Sequence, residues 1–240
     1  MLSLPTNPFI TQDWSAYTGE QHEVWRTLYA RRMAVLRATA SEVFLSGAEA
    51  IGLAPDTIPD LERLNGRLGP RTGWSALPVA GFLPAGEFFH CLAQRRFPTT
   101  VTIRPPANLD YVPEPDIFHD VFGHVPLHAD PVFAGFLQRF GAVAARARDA
   151  ELTQRLARLF WFTVEFGLIR EGGEVKLYGS GLISSHADAA NALSPRCDRR
   201  PFDLAAVLEQ PFKIDELQNV LFVVEDFGQL FDAVRAVEAA

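Results

Sequence analysis

The sequence of 240 residues is poor in cysteine and carries no excess of basic residues. Its two cysteines, Cys91 and Cys197, are too few for a disulfide framework, which favours a reducing compartment, the cytoplasm. The net charge of −7, with scattered basic residues, argues against a nucleic-acid-binding surface. No apolar run reaches the length of about 18 residues that spans a membrane. The start of the chain lacks the basic and apolar regions of a signal peptide.

What the chain does have is a composition that suits a globular core. Hydrophobic residues make up 48% of the sequence and phenylalanine alone accounts for 19 residues. A chain of this length buries most of its apolar surface without needing disulfides or structural metals. The phenylalanines predict an aromatic-rich core or pocket. Without internal repeats or a long linker, we expect one domain over residues 1–240, with residues 1–18 as an extended lead-in.

Hydrophobic periodicity predicts a mostly helical fold with a few short β-strands, which is the α+β class. The predicted helices are Gly19 to about Ser46 with Gly47 as the stop, a short helix in "FFHCLAQRRF" closed by Pro98, "DIFHDVF", 131–148, 151–169 and 228–239. The predicted strands are 99–104, a hairpin or strand–loop over 174–185, and 221–226, while "RPPANLDYVPEP" (104–115) is predicted to be a loop.

The stretch "PDIFHDVFGHVPLH" (115–128) holds three of the six histidines among apolar residues. His119 and His124 are five positions apart, so on an unbroken α-helix their side chains would diverge by about 140°. Gly123 and Pro126 form a helix-stop pattern. We therefore expect His119 near the end of a short helix and His124 on the turn that ends it, which would allow both imidazoles to converge.

A carboxylate completes a candidate metal site. Glu165 is the only ionisable residue in "LFWFTVEFGLI" (159–169), and a buried carboxylate is costly unless it is paired or bound to a metal. Two histidines and one carboxylate form the ligand set of non-haem Fe(II) oxygenases. From the residues alone, two core histidines and an ion pair of Glu165 with Arg158 or Arg170 remain open. The absence of a nearby cysteine argues against structural zinc.

Three motifs carry a resemblance to a known family. In this order, "PEPDIFHDVFGHVPL", "WFTVEFGL" and "YGSGLISS" resemble the catalytic domain of the pterin-dependent aromatic amino acid hydroxylases, and within that family the single-domain bacterial members that hydroxylate phenylalanine. The resemblance covers residues 20–235. It implies Fe(II), a tetrahydropterin and O₂ as cofactors and co-substrate, and conversion of L-phenylalanine to L-tyrosine. The chain lacks counterparts of the regulatory domain and tetramerisation helix of animal members, which favours a monomer.

The resemblance also implies roles for individual residues around the metal and the amino acid. His119, His124 and Glu165 would be the iron ligands and the catalytic centre, with Ser184 beside the first histidine ligand. Arg104 would bind the substrate carboxylate, a task for which the guanidinium fork is suited. The remaining implied residues are Asp116, which would hold Arg104 or act as a helix cap, and Trp161 and Phe166, which would line the aromatic pocket or merely pack in the core.

For the pterin, the resemblance implies a loop in "PVAGFLPAGEF" (78–88). Gly81 and Leu83 would supply backbone contacts, Phe88 would stack on the pterin ring, and Asp120 would reach the pterin through water. Three departures from the animal enzymes concern pterin affinity and substrate choice: Ala85, Pro98 and Phe160. His128 has no implied ligand role and is expected to be structural or on the surface.

Three other functions stay open on the sequence. A tryptophan or tyrosine hydroxylase of the same family would differ in the shape of the substrate pocket. A metal-dependent hydrolase could use the same ligands on zinc but would not need a pterin loop. An amino-acid-binding protein without catalytic activity would not need three intact metal ligands.

Overall fold

A computed structural model describes residues 8–110 and 114–239. Within these residues it contains ten α-helices and six short strands, so the predicted α+β class is confirmed. The helices are α1 (Gly19–Thr39), α2 (Glu42–Ala50), α3 (Leu61–Thr72), α4 (Ala85–Ala93), α5 (Pro131–Ala144), α6 (Ala150–Phe160), α7 (Ser180–Ser184), α8 (His186–Leu193), α9 (Leu204–Glu209) and α10 (Gly228–Ala239). The strands are β1 (Ser75–Val79), β2 (Arg96–Thr100), β3 (Leu168–Glu171), β4 (Glu174–Leu177), β5 (Asp198–Pro201) and β6 (Val220–Val224).

The strands form two small sheets. β1 and β2 pair in parallel, with Ser75 opposite Arg96 and Val79 opposite Thr100. The second sheet has the order β4-β3-β6-β5, in which only β3 and β4 are antiparallel. Of the hairpin or strand–loop predicted over 174–185, β4 is the strand; it pairs with β3, which precedes that segment, and the segment then continues into the short helix α7. No helix of the described residues is long and apolar enough to cross a membrane.

Two π-helices position the chemistry-bearing residues. They span Phe118–His124 and Trp161–Glu165. In the second, the backbone N–H of Phe166 donates to the Trp161 carbonyl at 2.8 Å, the i→i+5 bond that defines this geometry. Such segments are rare and concentrate at functional sites. The predicted helix 151–169 is correct only in its first part, because α6 passes into this π-helix and the chain then enters β3.

The predicted helix from Gly19 to Ser46 is wrong in its middle. It is two helices, because Ala40 and Ser41 are extended and the Ser41 hydroxyl accepts from the Phe44 N–H to begin α2. Gly47 lies inside α2 and does not end it. A Cβ at Gly47 would clash with the Pro126 carbonyl, so this glycine allows α2 to approach the histidine segment closely.

The strand predicted at 99–104 lies earlier in the chain, at Arg96–Thr100. Pro98 therefore sits within β2 and does not close α4, which ends at Ala93 before Arg95 adopts a φ of 59°. Proline is tolerated there because β2 pairs with β1 alone and needs hydrogen bonds on one side only. The loop predicted at 104–115 contains one 3₁₀ turn, Pro106–Asn108, and its residues 111–113 are outside the described part of the chain.

The predicted lead-in also has structure where it is described. Residues 1–7 fall outside the described part, and Phe9 forms a bridge with Val79 of β1. A single 3₁₀ turn covers Trp14–Ala16 before the Thr18 side chain caps α1. The lead-in thus joins the edge of the small parallel sheet.

The core is rich in aromatic side chains, as the composition predicts. Phe118 and Phe122, on the first π-helix, stack at 4.6 Å, and the ring of Trp25 on α1 meets Phe118 edge-on at 5.3 Å. All three side chains are fully buried. This packing fixes the inner face of the π-helix and leaves its other face to the candidate site.

His128 belongs to the core, with a side chain only 1% exposed. Its ring lies 4.6 Å from Trp74 and 5.0 Å from Phe97, and neither ring nitrogen has a hydrogen-bond partner among the described residues. Burial, reinforced by the nearby His124, lowers the pKa of His128 from 6.5 to about 3. The side chain is therefore neutral in the folded protein at physiological pH.

We expect His128→Leu to be stabilising, and increasingly so as the pH falls. Between pH 6.5 and 3, His128 binds a proton in the unfolded wild type but not in the folded protein. The unfolding free energy of wild type therefore decreases as the pH falls, and the leucine variant does not show this decrease. The difference in unfolding free energy should grow by about 2 kcal/mol between pH 7 and pH 5. Urea unfolding of both proteins at the two pH values measures it, and a difference that does not change with pH would contradict the assignment.

Candidate active site

The first π-helix explains how His119 and His124 converge. Its hydrogen-bonded turn closes after five residues, so side chains five positions apart lie one above the other. The two imidazoles pack edge to face with ring centroids 4.9 Å apart, and their Nε2 atoms are separated by 3.1 Å. The expectation that His119 lies near the end of a short helix and His124 on the turn after it is wrong, because His119 is the second residue of the π-helix and His124 is its last.

Gly123 does not end a helix as predicted; it allows a close approach of Ser180. A Cβ at this position would lie 3.0 Å from the Ser180 carbonyl oxygen and 3.3 Å from the Ser180 Cβ. Glycine therefore permits α7 to pack directly against the π-helix beside the two histidines.

Glu165, the last residue of the second π-helix, completes a triangle of donor atoms. Its Oε1 lies 3.3 Å from His124 Nε2 and its Oε2 lies 3.7 Å from His119 Nε2. For metal–ligand bonds of about 2.1 Å, ligand atoms at right angles lie about 3.0 Å apart. The three side chains thus match one face of an octahedron, and they form a group that could hold a metal ion.

The ion pairs considered for Glu165 on sequence grounds are not formed. Arg170 contacts Glu225 and the Arg158 guanidinium donates to the Leu208 carbonyl. The side chains of His119 and Glu165 are 19% and 16% exposed whereas His124 is 4% exposed, so the triangle opens to solvent on one side. A ligand can therefore approach the open face.

A hydroxyl relay fixes the tautomer of His119. Ser184 Oγ donates to the Ser180 carbonyl at 2.8 Å, and since a hydroxyl has one hydrogen, it must accept from His119 Nδ1–H at 2.9 Å. The Nε2 lone pair of His119 then faces Glu165 and His124. A hydrogen bond to the second nitrogen is how metal-binding histidines are oriented, and the structure places Ser184 where the sequence predicted it.

The protonation states of His119 and Glu165 also suit metal binding. Burial lowers the pKa of His119 to about 4, against the opposing effect of Glu165. Burial alone would raise the pKa of Glu165, but the facing His124 and His119 and the Ser180 hydroxyl lower it to about 2. At neutral pH the site therefore offers a neutral His119 and an ionised carboxylate, the forms that bind a metal.

Arg104 and Asp116 form a buried, two-pronged ion pair. Arg104 Nε and Nη2 donate to Asp116 Oδ2 and Oδ1 at 2.7 and 2.8 Å. Asp116 also accepts from the backbone N–H of His119 at 3.0 Å, so it both holds Arg104 and caps the first π-helix. Burial would raise the pKa of Asp116, but Arg104 holds it below its usual range. Among the residues that the structure describes, Arg104 Nη1 makes a long 3.5 Å contact to the Leu109 carbonyl, and it could also donate to an anion.

Trp161 is the first residue of the second π-helix, and Phe166 follows its last residue, Glu165. Their ring centroids are 4.6 Å apart, and Trp161 stacks on Phe212 at 4.5 Å. Phe212 was not predicted, because the loop before β6 shows no periodic signal. The three rings form a continuous aromatic surface next to the candidate metal ligands.

The predicted pterin loop leaves the small parallel sheet at the end of β1 and leads into α4. Leu83 is buried against Val79 and Cys91, and Phe88 on α4 is partly buried. Phe88 meets Phe97 edge-on at 5.9 Å, and Phe97 in turn lies 4.6 Å from His124. Phe97 therefore contacts both Phe88 and the candidate metal ligand His124. At Gly81 a side chain would meet nothing within 4 Å.

Asp120 lies on the first π-helix beside this loop. Its Oδ2 accepts from both the backbone N–H and the hydroxyl of Thr100, each at 2.8 Å. Thr100 is paired with Val79 at the point where the loop begins. Burial raises the pKa of Asp120 to about 6, although the Thr100 contacts act in the opposite direction.

Ser180 is a polar residue of the site that the sequence did not reveal. Ser180 Oγ donates to Glu165 Oε2 at 2.6 Å. The signal lay in "YGSGLISS", where Ser180 and Ser184 are four positions apart, the spacing of one helical face. Phe97 and Thr100 were also missed, since both fall in a strand whose limits were misplaced.

Together, two histidines and a carboxylate on one open face define a mononuclear non-haem metal site of the oxygenase type. The family model of the biopterin-dependent aromatic amino acid hydroxylases matches residues 13–239. The chain belongs to this family. Its pterin and iron dependence agrees with the cofactors expected from the sequence motifs.

Several relatives are similar over nearly the whole chain. The phenylalanine-4-hydroxylase of Caulobacter vibrioides is 42% identical, with 95% of this chain and 82% of that protein covered. The crystal structure of Chromobacterium violaceum phenylalanine hydroxylase with bound iron(III) and 7,8-dihydrobiopterin is 41% identical, with a TM-score of 0.93, and covers 99% of this chain and 87% of that chain. Human tyrosine 3-monooxygenase is 39% identical, with 92% of this chain and 42% of that protein covered.

Proposed function

We propose that this chain is a phenylalanine 4-monooxygenase, which uses Fe(II), a tetrahydropterin and O₂ to convert L-phenylalanine to L-tyrosine. The observation that carries the proposal is the convergence of His119, His124 and Glu165 at separations of 3.1 to 3.7 Å. The bacterial relatives named phenylalanine-4-hydroxylase support the choice of substrate.

The iron and the tetrahydropterin, when bound, supply the O₂ activation that hydroxylates an aromatic ring. The protein residues hold and orient the reactants. His119, His124 and Glu165 would hold the metal from one side and would leave its other positions to exogenous ligands. The relay from His119 through Ser184 keeps the Nε2 lone pair directed at the metal.

The amino acid would be held at both ends. Arg104, itself fixed by Asp116, presents its Nη1 to the substrate carboxylate. Trp161 and Phe166 would receive the aromatic ring, because flat apolar side chains bind a ring in offset or edge contacts and exclude water. Both ends would lie near the triangle, since Asp116 accepts from the backbone N–H of His119 and Phe166 directly follows Glu165 in the chain.

The tetrahydropterin would lie between the loop at residues 78–88 and the first π-helix. Gly81 and Leu83 would offer backbone groups, and Phe88 would provide a flat surface. Asp120 would act on the pterin through water from its position at Thr100. The contacts of Phe88 with Phe97 and of Phe97 with His124 support a pterin position near the candidate metal ligands.

Phe88→Ala is expected to raise the KM for the tetrahydropterin about tenfold and to change the KM for phenylalanine much less. The ring offers an aromatic surface worth about 0.5–1.5 kcal/mol beyond its buried area. Steady-state kinetics with each substrate varied in turn measures the effect. Phe89→Ala, which removes the neighbouring ring on α4, is the control. An unchanged pterin KM in Phe88→Ala would mean that Phe88 packs in the core and does not bind the pterin.

We further propose that the enzyme is a monomer of the cytoplasm. Both cysteines are free and buried, which supports a reducing compartment. Light scattering of the purified chain tests the oligomeric state, with the mass of 26.6 kDa expected.

The activity is tested by incubating the Fe(II)-loaded protein aerobically with a tetrahydropterin and each of the three aromatic amino acids. We expect tyrosine from phenylalanine at a higher kcat/KM than any product from tyrosine or tryptophan. A preference for tryptophan or tyrosine would assign the chain to another specificity within the family. No hydroxylation of any of them would contradict the proposal.

A further inference from the structure

Ser180 connects two of the three candidate ligands. It is the first residue of α7 and its side chain is completely buried. Its hydroxyl lies 2.6 Å from Glu165 Oε2 and 3.3 Å from the Val164 carbonyl. The single hydroxyl hydrogen goes to the carboxylate, because the shorter, charge-assisted bond is the stronger. Its backbone carbonyl accepts from Ser184, which orients His119.

Packing holds Ser180 firmly in this position. The absence of a side chain at Gly123 lets the first π-helix pass directly beside it. At the other end of α7, the buried Arg32 donates from Nε to the Ile183 carbonyl at 2.7 Å and from Nη2 to the Leu182 carbonyl at 2.9 Å. The hydroxyl therefore cannot follow the carboxylate if Glu165 turns.

The hydrogen bond makes the two oxygens of Glu165 unequal. Oε2 accepts from the Ser180 hydroxyl and lies 3.7 Å from His119 Nε2, whereas Oε1 lies 3.3 Å from His124 Nε2. A carboxylate binds a metal through one oxygen or through both. Binding through both would occupy a further coordination position and would compete with the Ser180 hydrogen bond.

We propose that Ser180 is a positioning residue that keeps Glu165 a one-oxygen ligand and so keeps three metal positions open for exogenous ligands. The inference rests on the proposed function, because it requires a metal at His119, His124 and Glu165. Without the hydroxyl, the carboxylate is free to turn and bind through both oxygens. The open positions then fall from three to two.

The test counts the water molecules on Mn(II) bound at the site, from the line broadening of its electron paramagnetic resonance spectrum in ¹⁷O-enriched water. We expect three waters in wild type and two in Ser180→Ala. Ser180→Cys, which keeps the shape but has a weak donor, should also give two. A count of three in both variants would overturn the inference.

Two further variants separate this role from general effects. Ser184→Ala removes the contact to His119 and not the one to Glu165, so it should keep three waters. Ser41→Ala deletes a fully buried hydroxyl at the start of α2, away from the ligands, and should also keep three. A loss of one water in Ser41→Ala would overturn the specific role of Ser180. If wild type binds neither Mn(II) nor Fe(II) when each is added alone, the proposed metal site itself fails and this inference fails with it.

Discussion

Glu165→Ala is expected to lose Fe(II) binding and to reduce tyrosine formation to the background rate. The carboxylate supplies the only negative charge among the three ligands, and two histidines 3.1 Å apart do not define a face. The fold should survive, because the variant removes a buried carboxylate without leaving a charged partner behind. Iron content after anaerobic reconstitution and the rate of tyrosine formation are the two measurements.

The matched control is Glu174→Ala, which removes an exposed glutamate paired only with Lys176. It should retain iron and activity. His119→Ala and His124→Ala are expected to behave like Glu165→Ala. Full iron occupancy with normal turnover in any of the three variants would remove that residue from the ligand set.

Arg104→Ala is expected to raise the KM for phenylalanine by about one and a half to three and a half orders of magnitude, since each 1.4 kcal/mol is a factor of ten. Loss of a desolvated, charge-assisted contact to the substrate carboxylate costs about 2–5 kcal/mol. The same change leaves the buried Asp116 without its ion partner, which should lower the unfolding free energy by about 3–5 kcal/mol. Kinetics must therefore be measured well below the melting temperature of the variant.

Two comparisons separate binding from stability. Arg104→Lys keeps the positive charge next to Asp116 but loses the planar fork, so it should restore stability more than it restores the KM. Phenethylamine, which lacks the carboxylate, should be a poor substrate for wild type and should lose little further in Arg104→Ala. If wild type used phenylalanine and phenethylamine equally well, Arg104 would not be the carboxylate partner.

The sequence identifies the metal-site residues better than it explains their geometry. Histidines five apart in an apolar segment and a lone carboxylate in another indicate a ligand set. Their convergence was assigned to a helix stop at Gly123, whereas the π-helix Phe118–His124 produces it. A π-helix has no local sequence pattern, because it results from packing such as that of Ser180 against Gly123.

The boundaries of the helices and strands also depend on contacts that the sequence does not show. Apolar spacing continues through Ala40 and Ser41, so the break between α1 and α2 cannot be seen without the contacts that each helix makes. Pro98 is an ordinary residue in β2 because that strand has only one neighbour, which the sequence does not reveal. By contrast, β6 was predicted within two residues and α10 at its observed limits, since a short apolar run and a periodic terminal segment are determined locally.

The most direct test of the central claim is a crystal structure of the Fe(II)-loaded protein with anomalous diffraction recorded at the iron absorption edge. The account predicts a single strong anomalous peak within bonding distance of Nε2 of His119, Nε2 of His124 and a carboxylate oxygen of Glu165. An iron peak elsewhere in the chain, or none at this triangle in protein that forms tyrosine, would contradict it.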